Sequence, residues 1–137
     1  QVDNWPIEMI ILMQKEVWDR IVSKKSSVLS LFVQKKCTVF QKIFVPANYF
    51  SPPPKVDSTV LHFILEDKYE EIDDNKFLDF IKKAFSQPRK KLIKNLWVLG
   101  VSNEKMSQIF ADLKLNNEVR AEELSIDLFI ELYNKLN

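Results

Sequence analysis

The sequence predicts an α/β chain that gives way to an all-α part, and three observations carry that expectation. A short apolar run at residues 8–13 leads straight into Val17, Trp18, Ile21 and Val22 at helical spacing. Ser58–Leu65 (STVLHFIL) is dense in β-branched and aromatic residues, the composition of a strand. Beyond Glu66, the apolar residues recur only at helical spacing.

Composition sets the outer limits. With 137 residues the chain is about one domain long, and 46% hydrophobic residues are enough for a core. The 28% of charged residues suits a hydrated surface rather than a disordered chain. No apolar run approaches the roughly 18 residues of a membrane-spanning helix, and no signal-peptide pattern opens the chain. Its one cysteine, Cys37, excludes an internal disulfide and a cysteine-based metal cluster. A reducing, cytoplasmic setting is therefore expected, with no membrane partner. Residues 1–6 contain no strand or helix opening. The one glycine, Gly100, is few for a complete α/β enzyme. The chain is accordingly expected to be the C-terminal portion of a larger protein, with self-association open to a truncated sheet.

In order along the chain, residues 8–13 form a nearly continuous apolar run, as in a strand buried on both faces of a parallel sheet. Residues 14–23 follow as an amphipathic helix, and residues 24–27 break its pattern. Residues 28–33 are apolar except for Ser30, with valine at both ends, and read as extended. With Cys37–Val45 they form one bent strand or a strand pair, Gln34-Lys35-Lys36 lying between. Ser58–Leu65 is the clearest strand, and these last strands are expected to pair antiparallel at a sheet edge. Residues 67–75 read as an acidic linker. Phe77, Leu78, Phe80, Ile81, Ala84 and Phe85 then share one helical face. Pro88 ends that helix and suits the first turn of the next. Leu92, Ile93, Leu96, Trp97 and Leu99 form a second apolar face, with Gly100 as its C-cap. Ser102 and Ser125 are expected N-caps of two further helices.

Two stretches point to chemistry. The first is Phe50-Ser51-Pro52-Pro53-Pro54-Lys55-Val56-Asp57-Ser58. Consecutive prolines lack N–H groups and hold φ near about −65°, which makes a stiff extended loop beside an aromatic ring. Phe50 either stacks against a flat ligand such as a base or staples the loop to the core. The second is a charge block hidden by a net charge of +1. Residues 66–79 hold seven acidic and two basic residues, a local charge of −5, whereas residues 80–94 hold six basic residues and no acidic one. Lys90, Lys91 and Lys94 would share one side of a helix, with Arg89 beside them. Such a face binds phosphates through counterion release, or is simply solvated. His62 and Cys37 are each alone and read as structural. No G-x-G-x-x-G, P-loop or G-x-S-x-G is present, so no nucleotide cradle is built from this chain.

Four motifs occur in order: Gln14-Lys15-Glu16-Val17 with Arg20; the Phe50 to Ser58 stretch; Ala84-Phe85 with Arg89-Lys90 and Leu92 to Leu96; and Arg120-Ala121-Glu122 with Leu124-Ser125. Together they resemble the small-subunit ribosomal RNA adenine dimethyltransferase family, from about Met9 to Leu136. The resemblance implies the C-terminal part of a Rossmann-like S-adenosylmethionine-dependent sheet (residues 1–67) followed by a small helical RNA-binding domain (residues 68–137). It implies transfer of two methyl groups to the exocyclic amine of each of two adjacent adenines. The implied substrate is small-subunit RNA or the 30S precursor. By the same resemblance Phe50 stacks the target adenine, while Lys55, Arg89, Lys90, Lys91 and Lys94 contact RNA. The family's glycine-rich loop and Asn-Pro-Tyr motif are not in this chain, so no cofactor residue is expected here. Ser26-Ser27 stands where the family shows Tyr-Gly, and Pro88-Arg89 stands where it shows paired arginines. A non-catalytic ribosome-binding relative and a large-subunit RNA adenine methyltransferase are the alternatives.

Overall fold

A computed structural model describes residues 7–137. The expectation for the opening residues 1–6 lies outside these. A three-stranded antiparallel sheet has the order β1-β3-β2, built from β1 (Glu8–Gln14), β2 (Cys37–Val45) and β3 (Ser58–Leu65). Helix α1 (Lys15–Val22) follows β1 directly, and α2 (Val28–Lys36) leads into β2. The remainder is helical: α3 (Asp74–Ala84), α4 (Leu92–Asn95) with a 3₁₀ turn Leu96–Leu99, α5 (Asn103–Asp112) and α6 (Ile126–Leu136).

β3 is central and alternates as a sheet strand does. Thr59, Leu61 and Phe63 are buried, and Leu61 and Phe63 pack with Met9, Ile11, Met13 and the α1 residues Val17, Trp18 and Ile21. The expectation for β1 is corrected on two counts. It pairs antiparallel with β3, and its alternate residues Ile10 and Leu12 are 68% and 52% exposed. Its apolar run reflects one face on the core and a second apolar face turned outward. Phe40, Ile43 and Phe44 of β2 are also exposed. His62 lies at this level of the sheet, with Phe40 tilted against its ring and Glu8 Oε1 3.6 Å from its Nε2. No metal-binding group of three side chains occurs among the described residues, and no helix there is long and apolar enough to cross a membrane.

Residues 28–33 are helical, which corrects the strand expectation. Ser27 and Ser30 form a reciprocal capping box that starts α2. The apolar residues of its first half spread around the helix because it serves two cores. Leu31, with Val28 and Phe32, joins the helical core, while Val33 packs on the sheet. A short apolar run is the same signal for a buried helix and a buried strand, and here burial on two sides decides it.

The acidic stretch 67–75 is not a free linker. Ile72 is buried, and Asp67 and Asp74 close on two lysines from the end of α2. Lys35 is fully buried, its Nζ 2.7 Å from Asp74 Oδ1 and 3.1 Å from Asp67 Oδ2. Lys36 reaches the same carboxylates at 2.8 and 3.2 Å. Burial pushes both carboxyls upward. The Tyr69 N–H and the two ammoniums outweigh it at Asp67, and the ammoniums alone do so at Asp74, so both end below the ordinary carboxylate value. The Asp74 hydrogen bond likewise raises Lys36 against its own desolvation.

The helical core gathers Phe77, Phe80, Ile81 and Ala84 of α3 with Phe110, Phe129 and Leu132. Phe80 meets Phe129 and Tyr133 edge-on, a favoured aromatic geometry. Ser102 and Ser125 cap α5 and α6 as expected, and Gly100 takes the left-handed conformation at φ 74°. Pro88 does not open a helix. It lies in the irregular turn between α3 and α4. Trp97 is not on the core face either, being 52% exposed.

Candidate functional site

One end of the sheet gathers two of the four sequence motifs. Gln14 ends β1 opposite Ser58, where β3 begins, and Val45 ends β2 beside the same Ser58. The connection from β2 to β3 crosses this end. It starts with a 3₁₀ turn, Ala47–Tyr49, whose last cap is Phe50 in extended geometry. The Phe50 N–H donates to the Ala47 carbonyl at 3.2 Å, and its ring is half-buried. Residues 51–56, including Lys55, are exposed.

Asp57 ties this end together. Its Oδ1 accepts the Ala47 N–H at 2.9 Å, closing the loop onto the turn that carries Phe50. Its carbonyl accepts the Lys15 N–H at 2.9 Å, joining the loop to the first residue of α1. The loop is thus held at both ends, and the prolines limit motion between them. Asp57 stood within the motif but its role was not read from sequence, because its partners lie ten and forty-two positions away along the chain.

Thr59 adds a second fixture. It is fully buried, donates to the Ile43 carbonyl at 2.9 Å and accepts from Gln41 Nε2 at 3.0 Å. These bonds straddle the bulge between Gln41 and Ile43, which re-aims the end of β2 just before the Phe50 turn. Thr59→Val keeps the shape but removes a buried hydroxyl's bonds to the Ile43 carbonyl and to Gln41. It is expected to cost about 1–3 kcal/mol in urea unfolding, whereas Lys42→Ala at the same bulge, being exposed, is expected to cost under about 0.5 kcal/mol.

The basic segment departs from the expected single helical face. Only Lys94 lies within α4. Arg89 and Lys90 are exposed on the turn after α3, and Lys91 is the N-cap residue of α4. Lys91 Nζ is committed to Glu118 at 2.7 Å. The physical reasons are Pro88, whose ring cannot pass the Ala84 carbonyl in a helix, and a buried asparagine. Asn95 Nδ2 donates to the Ala84 and Gln87 carbonyls at 2.8 and 3.0 Å, folding residues 85–90 into a tight turn instead of continuing a helix. The Lys90 N–H closes on Gln87 at 2.9 Å. The turn therefore projects two cations without helical spacing.

The Arg120-Ala121-Glu122 motif is a docking seam. Ala121 and Leu124 are buried. The Glu122 carbonyl accepts the Ser26 N–H at 2.9 Å, and the Leu124 carbonyl accepts the Ser26 hydroxyl. Ser26-Ser27 thus holds the helical part with one serine and caps α2 with the next. Cys37 offers no activated nucleophile. Burial pushes its thiol above the ordinary value, against a smaller opposing pull from Lys36.

Residues 5–137 match the family described as Ribosomal RNA adenine dimethylase. Ribosomal RNA small subunit methyltransferase A of Fusobacterium nucleatum is 36% identical over 131 residues, covering 91% of this chain and 50% of that protein. The protein of the same name from Mycoplasma mobile is 36% identical over 135 residues, covering 93% and 52%. The chain thus spans about half the length of the curated relatives it matches. Among solved structures, a dimethyladenosine transferase from Plasmodium falciparum superposes with a TM-score of 0.74 at 21% identity, covering 98% of this chain and 59% of that one. The 23S rRNA methyltransferase ErmE gives 0.71 at 12% identity, covering 94% and 54%. These last two likenesses concern the fold.

Proposed function

This chain belongs to the ribosomal RNA adenine dimethylase family, and on that premise we propose that it is the C-terminal portion of an enzyme that dimethylates two adjacent adenines of small-subunit ribosomal RNA. In this reading residues 1–67 end a Rossmann-like methyltransferase sheet and residues 68–137 form an RNA-binding part. Helix α2 packs on both. The substrate is small-subunit RNA within the 30S precursor, and the setting is cytoplasmic. The outer apolar face with Ile10, Leu12, Phe40 and Ile43 meets the rest of the enzyme, and its exposure favours self-association of the isolated chain.

The methyl donor, S-adenosylmethionine, does not fit the residues present. The one glycine ends a 3₁₀ turn in the helical part, and no glycine-rich turn follows β1 or β2. Cofactor contacts belong to residues beyond this chain.

What this chain contributes is position. The exocyclic amine of adenine is a weak nucleophile because its lone pair is shared with the ring. Transfer therefore depends on holding the base plane and the amine in one geometry. The anchored aromatic at Phe50 offers one flat wall for a base taken out of its stack. Stacking on a ring face is indifferent to methyl count, so the same wall serves the monomethylated product. Lys55, Arg89, Lys90 and Lys94 meet the RNA backbone, with Lys91 holding the turn through Glu118.

The observation that carries this reading is the double tether of Asp57, which fixes the Phe50 turn to the sheet end and to α1. The test is methylation of immature small subunits and, in parallel, of large-subunit RNA by the full-length protein, with N6,N6-dimethyladenosine read by mass spectrometry. Its absence would refute the enzyme and favour a non-catalytic relative, and product only in large-subunit RNA would favour the other methyltransferase class. Lys90→Ala is expected to weaken RNA binding for all sequences and lower the salt slope by about 0.7–0.9. Lys91→Ala, whose charge is already paired, is expected to change that slope less.

A further inference from the structure

Trp97 carries no part of the reading above. It is 52% exposed on the 3₁₀ turn after α4, and its neighbour Val98 is 69% exposed. A large aromatic exposed beside a second apolar residue offers a flat face of the kind that interface centres use. The two residues line a groove of about 460 Å³, within the range of about 300–1,000 Å³ that ligand sites occupy. Lys83, Lys90 and Lys94 line the same groove, and no carboxylate does. Lys83 shares its charge with Asp79 at 2.7 Å, whereas Lys90 and Lys94 have no ion-pair partner among the described residues. Lys94 Nζ stands 6.0 Å from the Trp97 ring centroid, at the outer limit of a cation–π contact. The ring is therefore held only weakly by its own chain. Asn95 makes the floor rigid through its two carbonyl bonds.

From this arrangement we infer that the groove between the basic turn and Trp97 binds one unpaired nucleotide of RNA, its base on the Trp97 ring and its phosphates at Lys90 and Lys94. The lysine rim selects a polyanion over an apolar peptide. The flat ring selects an unstacked base over a duplex, whose base faces are already covered. The site is distinct from the Phe50 turn in sequence and in neighbours. It adds a second base contact that positions the RNA without taking part in methyl transfer. This rests on the RNA reading proposed above.

The experiment measures binding of the full-length protein to two labelled probes, a short adenine-rich single strand and an RNA duplex of equal length, over a salt series. Trp97→Leu is expected to weaken single-strand binding about 5- to 100-fold. Duplex affinity and the salt slope stay unchanged, since no charge is removed. Trp97→Phe, which keeps an aromatic face, is expected to recover most of the loss. A leucine variant that binds the single strand as tightly as the native protein overturns the inference, and so does an equal loss for both probes. A native protein that binds neither probe overturns the RNA reading itself. Single-strand binding that depends on Lys90 but ignores Trp97→Leu overturns the nucleotide site alone.

Discussion

On the proposed function, Phe50→Ala in the full-length protein is expected to lower kcat/KM for small-subunit RNA by about 10- to 100-fold, the worth of one base–aromatic stack. S-adenosylmethionine affinity is expected to stay within about 2-fold, because no cofactor contact is assigned to this loop. Phe50→Leu separates stacking from packing. It retains apolar bulk at a half-buried position but removes the flat face. If Phe50 is a wall for adenine, leucine fails nearly as badly as alanine, and Phe50→Tyr keeps most activity. If Phe50 is a staple for the loop, leucine restores transfer. Equal losses of transfer and cofactor affinity on Phe50→Ala would likewise mark a structural residue. The Asp57 bonds hold the Phe50 turn from the far side of the proline segment, so the backbone that carries the ring is fixed before substrate arrives.

The second large effect concerns stability. Asp67→Asn together with Asp74→Asn leaves the Lys35 ammonium fully buried with no anion, and is expected to cost about 3–5 kcal/mol at neutral pH. That is a large fraction of the roughly 5–15 kcal/mol that holds a domain folded. Lys35→Met removes the buried charge and keeps the volume. It is expected to cost under about 1.5 kcal/mol, since Lys36 remains with both carboxylates. The pH dependence has a definite sign. Asp67 and Asp74 are held below their unfolded value of about 3.9, so their contribution is full above that pH and fades as pH falls through the lower folded values. Lys36 is raised, so its contribution is full below about 10.4 and is lost only above it. Urea unfolding of native and doubly substituted protein tests this. The gap between them is expected to be widest near neutrality and to shrink toward about pH 3. A gap independent of pH would refute the ion cluster as its source. Asp74 is 38% exposed on its side chain, so solvent screens its share, and most of the effect rests on Lys35 and Asp67.

Both predictions turn on residues whose partners are remote. Asp57 reaches back to Ala47 and Lys15, and Lys35 reaches forward to Asp67 and Asp74. In one dimension Asp57 was one letter of a motif and residues 67–75 were a charged linker. Asn95 was equally silent, though with Pro88 it explains why Arg89 and Lys90 leave the helix. Helical spacing assigns Trp97 to a core face, whereas a short α4 and a 3₁₀ turn rotate it outward.

Local chemistry was legible wherever it was self-contained. The strand composition of β3, the serine caps of α5 and α6, and the glycine after the 3₁₀ turn each depend on a few consecutive residues, and the structure bears all three out. The order of motifs was equally legible, because it is a property of the chain alone, and it placed the protein in its family. The fate of residues 28–33 was decided by tertiary structure. Their apolar side chains suit a strand or a helix, and only cores on both sides make the helix pay. The same holds for the buried lysine: a charge enters the interior only where folding brings carboxylates to meet it, and that meeting is absent from any local stretch of sequence.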